Sequence, residues 1–258
     1  MRKKNQKSFS YRNYEKDLEK IIRYPKFDVM FYRTDLKIHV QRIIAMLEEL
    51  LPFILTMHPE LDVYKLFWMV WFHDAPELIT GDVSLQAKLV MSQGELTELS
   101  NREELAIEII FDSYSREDFF GYNIKDLMLE AKEKKTLISQ LASFVDKVDG
   151  FCEAFHELLA GNNVFAEPVW NYPLETFGHL KDKYPLLVNL FHSDHFFFQK
   201  HIGCLQGFYQ KGRIAPKPHD KETVTRKTEF PHYEFWKSVT IKNFGIEKLI
   251  VQKEFFDA

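Results

Sequence analysis

Cysteine is nearly absent: the 258 residues include two, Cys152 and Cys204, too few for a disulfide framework and without the paired spacing of a zinc motif. Both read as unpaired thiols of a reducing compartment. Charge of one sign is also lacking. The formal net charge is −4, so no global basic field draws nucleic acid, and an anionic ligand has to be held by a local patch. The longest apolar runs, such as residues 66–72, fall far short of the ~20 residues that span a bilayer. The basic residues among 1–7 are not followed by the apolar segment of a secretory signal. These absences predict a cytoplasmic protein with neither a membrane nor a nucleic-acid partner. Internal repeats and low-complexity tracts are missing as well.

What is present suits a globular core. Hydrophobic residues make up 45% and charged residues 28% of the chain, the balance of an ordinary soluble protein. Helical periodicity dominates to about residue 203, which predicts an all-α fold. Ser10 is placed to cap a helix running to Arg23, with Leu18, Ile21 and Ile22 on one face. Thr34 and Asp35 open the clearest helix, where Ile38, Ile43, Ile44, Leu47, Leu50 and Leu51 repeat at helical spacing. Pro59 and Glu60 open another, apolar almost all round over 66–72 and therefore central. Thr80-Gly81-Asp82 signals a turn. Further helices are predicted over 84–114, 123–134 and 136–160, the last closed by Gly161-Asn162-Asn163. Beyond Pro168, Pro173 and Pro185 the signal weakens; a helix returns over about 186–201, and 207–228 reads as a basic, Gly- and Pro-containing linker. The predicted division is a helical core over 8–203 and an appendage over 204–258.

Chemistry concentrates at His73-Asp74. A His-Asp pair alone is weak evidence, and His219-Asp220 is a second one, without an apolar scaffold beside it. The first pair directly follows Trp68-Met69-Val70-Trp71-Phe72, where two ionisable groups cost desolvation free energy unless a metal ion or mutual pairing compensates. Both compensators remain open on local context. His39, beside Ile38 and four residues before Ile43, is predicted to point inward, and Asp146 is an acid directly after Leu141-Ala142-Ser143-Phe144-Val145. Helices of a bundle are able to converge such groups on one centre. Two imidazoles and two carboxylates suit Mn, Co, Fe or Ni and leave positions open for water and a phosphate oxygen. His192, His195 and His201, near Asp194, lie among phenylalanines and read as packing or surface residues.

The order His39 … His73-Asp74 … Asp146 resembles the H…HD…D signature of the HD-domain phosphohydrolase superfamily. The segment from His73 through Glu77 to Thr80-Gly81-Asp82 is similar to the HDxxE…TGD segment of its 5′-deoxynucleotidase branch, with Lys88 where that branch carries a lysine. Arg23-Tyr24-Pro25 resembles an Arg-Trp-Pro upstream of the first histidine, and Glu157 to Asn163 is similar as well. Three departures stand out: Tyr24 replaces the tryptophan, Ile38 precedes His39 where the branch has an acid, and the interval from Arg23 to His39 differs by one residue.

The resemblance covers about residues 8–165. It implies an HD helical bundle, hydrolysis of (deoxy)nucleoside 5′-monophosphates, a homodimer, and one divalent ion (Mn, Co, Fe, Ni or Mg) on His39, His73, Asp74 and Asp146. It further implies that Glu77 is the general base or acid, and that Asp82 contacts the sugar or protonates the leaving oxygen. Arg23 and Lys88 would bind the phosphate with Tyr24 nearby, and Arg33 competes for that role. A triphosphohydrolase of deoxynucleoside triphosphates, or a regulatory HD module that binds a nucleotide without hydrolysing it, would use the same site.

Overall fold

A computed structural model describes residues 11–114, 120–159, 162–172, 180–188 and 190. Ten α-helices lie among them: α1 (Tyr11–Leu18), α2 (Leu36–Met57), α3 (Val63–Phe72), α4 (Glu77–Thr80), α5 (Leu85–Leu89), α6 (Gln93–Tyr114), α7 (Ile124–Glu133), α8 (Leu137–Leu159), α9 (Ala166–Tyr172) and α10 (Leu180–Lys183). Among the described residues the one strand-like pairing is an isolated antiparallel bridge between Ile22 and Asp35. The fold is all-α, as the periodicity predicts. The proposed boundary at 203/204, the second His-Asp pair and Cys204 lie outside the described residues.

Two compact units form. The first takes in residues up to 25, 35–41 and 62–142. Its centre is α3, whose Leu66, Met69, Val70, Trp71 and Phe72 are buried. Helix α7 packs on α3 through Ile124, Leu127 and Met128, spaced i, i+3, i+4, and on α6, which buries Leu99, Ala106, Ile107 and Ile110. Lys65 to Glu130 (2.7 Å) and Lys132 to Glu104 (2.9 Å) tie the rims of these pairs. Tyr14 of α1 packs on Phe72, ring centroids 5.1 Å apart, and donates its hydroxyl to the Trp71 carbonyl at 2.9 Å.

Several helix ends differ from the sequence expectation. Helix α1 stops at Leu18 because the chain turns there, and the Leu36 amide donates to the Ile21 carbonyl at 3.0 Å beside the Ile22–Asp35 bridge. Asp35, not Thr34, caps α2, accepting the Ile38 amide at 3.0 Å. Asp62 caps α3, so Pro59-Glu60 precede the helix rather than open it. The helix expected over 84–114 is broken at 90–92, where Ser92 and Glu95 exchange side-chain-to-backbone bonds as a capping box.

The second unit takes in 26–34, 42–61 and residues from 143 on. A buried polar network organises it. Arg42 grips Asp149 with two bonds of 2.6 and 2.7 Å and reaches Glu153 at 3.0 Å, while the Thr34 hydroxyl also donates to Glu153. Glu157 accepts the amides of Phe31 (2.8 Å) and Tyr32 and the side-chain amide of Asn162 (2.7 Å). The Asn162 amide in turn donates to the Glu157 carbonyl at 2.9 Å, the long backbone bond of a capped helix C-terminus. Gly150 is required by close approach, because a Cβ there would collide with the Tyr172 hydroxyl. A 3₁₀ turn at Pro185–Leu187 stands where a longer helix was expected, and the remainder of that segment lies outside the described residues apart from Val188 and Leu190.

Candidate metal and phosphate site

Three predicted ligands meet in the first unit. His39 comes from the fully buried face of α2, and His73 is the C-cap of α3, with Asp74 beside it. Their ligand atoms lie within 4.8 Å of one another. Asp74 sits between the two imidazoles, its Oδ1 3.1 Å from His73 Nε2 and its Oδ2 3.3 Å from His39 Nε2. Burial pushes the Asp74 carboxyl up, but His73 and His39 more than offset this and hold it well below the usual carboxylate range.

The tautomer of His73 tests whether this set fits a metal. Its Nδ1 lies 2.6 Å from the Val70 carbonyl, which only accepts, so Nδ1 carries a hydrogen and, in the neutral ring, Nε2 is a lone pair. That Nε2 is buried and makes no hydrogen bond, although a carboxylate oxygen is 3.1 Å away. Two acceptors facing each other repel unless a cation lies between them. A backbone carbonyl orienting the outer nitrogen is the arrangement in which histidine binds a metal. The donor set therefore fits a divalent ion.

Glu77, Asp82, Arg23 and Lys88 surround this cluster electrostatically. The chain continues from α3 in a tight turn, the Glu77 amide donating to the Asp74 carbonyl at 2.9 Å, which keeps the two acids together. Glu77 Oε2 is buried and without a hydrogen-bond partner. Burial, followed by the charges of Asp74 and Asp82, pushes the Glu77 carboxyl well above its ordinary value, and Arg23 and Lys88 offset part of that rise. Gly81 then turns the chain with φ 75° and ψ 161°, a conformation essentially confined to glycine. The following Asp82 accepts the Tyr24 amide on Oδ2 at 2.9 Å. Burial raises the Asp82 carboxyl, against the opposing charge of Arg23. Arg23 is buried and lies over the Tyr24 ring, its Cζ 5.7 Å from the centroid. Lys88 is partly exposed and 3.5 Å from Glu103.

Two expected site residues belong to the second unit. Asp146 sits on α8 paired with the neighbouring Lys147. Burial pulls the Lys147 ammonium down, but Asp146, Tyr172 and Tyr184 prevail and keep it charged. The Arg33 guanidinium donates through Nη2 to the Phe27 carbonyl and, at 3.4 Å, to that of Asp28, so it braces the 26–34 loop. Sequence reasoning passed over Arg42, Asp149 and Glu153. The available signal was spacing: Arg42 lies three residues after His39, and Asp149 three after Asp146.

A family model described as 5′-deoxynucleotidase YfbR-like matches residues 10–178. The chain belongs to this family. It is accordingly an HD-domain hydrolase, a metal-dependent phosphohydrolase of nucleoside monophosphates. Among solved structures, a conserved hypothetical protein from Pyrococcus furiosus is similar at 20% identity, covering 76% of this chain and 96% of its own, with a TM-score of 0.47. No protein of curated function matches the chain. Among the described residues of this YfbR-like protein, no helix is long and apolar enough to cross a membrane.

Proposed function

We propose that His39, His73, Asp74 and Asp146 hold one divalent cation, Mn, Co, Fe, Ni or Mg, and that Glu77 moves the proton in hydrolysis of a (deoxy)nucleoside 5′-monophosphate to nucleoside and phosphate. The observation that carries the reading is the bare Nε2 of His73 against Asp74. Asp146 is supported by its place in the His…His-Asp…Asp order and by a carboxylate chemistry that completes a set of two imidazoles and two acids. When bound, such an ion supplies Lewis acidity toward the phosphoryl group and the attacking water.

The chain's own groups do the rest. Glu77 has a raised carboxyl and a buried Oε2 without a hydrogen-bond partner, the properties of a group that takes up and returns a proton. Arg23 offers a planar fork to two phosphate oxygens, and Lys88 adds a mobile positive charge. Tyr24 lies under Arg23, where its ring limits the fork's movement. Arg33 is the weaker candidate for the phosphate, because its Nη2 is engaged by the Phe27 and Asp28 carbonyls. A cytoplasmic homodimer is the setting the family resemblance suggests.

Elemental analysis of protein reconstituted with Mn or Co tests the ligand set. His73→Ala, Asp74→Ala and Asp146→Ala each remove a ligand and are expected to lose bound metal together with phosphate release. Full occupancy in all three variants would overturn the assignment, and full occupancy in Asp146→Ala alone would remove the fourth ligand.

A further inference from the structure

Tyr24 adopts φ 51°, in the left-handed region that a bulky non-glycine residue seldom enters. It also precedes Pro25, and a residue before proline is biased towards extended backbone. Sequence alone would leave Arg23-Tyr24-Pro25 extended. Strain of this kind persists only where surrounding contacts impose it. One contact that does so is the Tyr24 amide donating to Asp82 Oδ2 at 2.9 Å, across 58 residues of chain. An amide bonded to a carboxylate is a charge-assisted and comparatively strong bond. On the upstream side the Ile22–Asp35 bridge fixes the segment, so Arg23 is held between two anchors.

We infer that Asp82 is a positioning residue: it holds Tyr24 in the left-handed conformation and thereby sets the Arg23 guanidinium over the phosphate subsite, instead of exchanging a proton with the substrate. Arg23 is buried, and its positive charge acts on both the Glu77 and the Asp82 carboxyls. Loss of the Asp82 acceptor lets Tyr24 relax to extended backbone and takes Arg23 away from that place. The Gly81 turn aims Asp82, and Asp82 shapes the loop opposite. This inference rests on the proposed reading of Arg23 as the phosphate ligand.

The test is a double-mutant cycle on the full, metal-loaded chain. Its readouts are kcat and KM for a deoxynucleoside 5′-monophosphate and inhibition by inorganic phosphate. Asp82→Ala is expected to raise KM and the phosphate inhibition constant tenfold or more, as Arg23→Met does. The combined variant is expected to be little worse than Arg23→Met alone, since both changes remove one function. Asp82→Asn keeps a side-chain oxygen for the Tyr24 amide and is expected to recover most of what alanine loses. An asparagine variant as damaged as the alanine one, with kcat lost and KM retained, would make Asp82 a proton donor and overturn the inference. Multiplicative losses in the cycle would overturn it as well. If Arg23→Met leaves phosphate inhibition untouched, the phosphate reading of Arg23 falls and takes this inference with it; the other two outcomes leave that reading standing.

Discussion

Replacing Glu77 by glutamine keeps shape and hydrogen-bonding capacity while removing the exchangeable proton. Among the described residues, the neighbouring carboxylates are poorly suited to take over the proton transfer. Asp74 is held below the usual carboxylate range by the two imidazoles and is a poor base, and Asp82 has committed Oδ2 to Tyr24. Loss of a positioned acid–base group costs about 10²–10⁴ in rate, or about 2.7–5.4 kcal/mol at ~1.36 kcal/mol per decade. The absence of a substitute places the expected fall in kcat in the upper half of that range, with metal content and KM little changed. Stability in the metal-free protein gives an independent readout. Because the folded Glu77 carboxyl lies above its unfolded value, its contribution is fully present below about pH 4.3 and is lost as pH rises through the folded value. Across that window one such group reduces stability by up to ~1.36 kcal/mol per pH unit. Glu77→Gln removes this dependence, so chelator-treated variant and wild type are expected to diverge in Tm as pH rises, the variant being the more stable. Stopped assays of phosphate release, elemental analysis and thermal melts from pH 5 to 8 measure all three quantities. A kcat within threefold of wild type, or loss of the metal, refutes the reasoning.

Arg23→Lys keeps the charge but loses the fork, and kcat/KM for monophosphates is expected to fall by about 1–3 kcal/mol, read from initial rates, with nucleoside binding unchanged. Arg42→Met leaves the buried Asp149 and Glu153 carboxylates without their main partner and is expected to cost about 3–5 kcal/mol, visible as a lowered urea midpoint or Tm. Arg33→Lys is expected to disturb the 26–34 loop and lower Tm while leaving the phosphate inhibition constant within about twofold, as a bond to backbone rather than to substrate requires.

The central helices were legible because their signal is local. The i, i+3, i+4 apolar spacing of α2 and the continuous apolar run of α3 identify both, and His73-Asp74 stands out as an ionisable pair at the end of a buried helix. The helix ends were less legible. Thr34 has the chemistry of a cap, yet its hydroxyl is drawn to Glu153, 119 residues away, and Asp35 caps instead. The break at 90–92 was written in the sequence as Ser92-Gly-containing Ser-x-x-Glu spacing to Glu95, and apolar continuity masked it. The ligands in the first unit follow from residue type and order, whereas the division of labour between the two arginines depends on long-range contacts. Nothing near Arg23 or Arg33 announces that the charge of one acts on Glu77 and the other binds the carbonyls of its own loop. The bond from Tyr24 to Asp82 was equally invisible, because it joins two turns whose meeting is decided by how α1, α3 and α4 fold together within one unit.

The central claim is metal-dependent hydrolysis of nucleoside monophosphates at the His39–His73–Asp74 cluster. Its most direct test is a product-resolved screen of nucleoside mono-, di- and triphosphates with Mn, Co and Mg, each with and without a chelator. The account predicts that 5′-monophosphates yield nucleoside and inorganic phosphate only when the divalent ion is present. Undiminished release in excess chelator, or triphosphates as the better substrates with inorganic triphosphate as product, would contradict it.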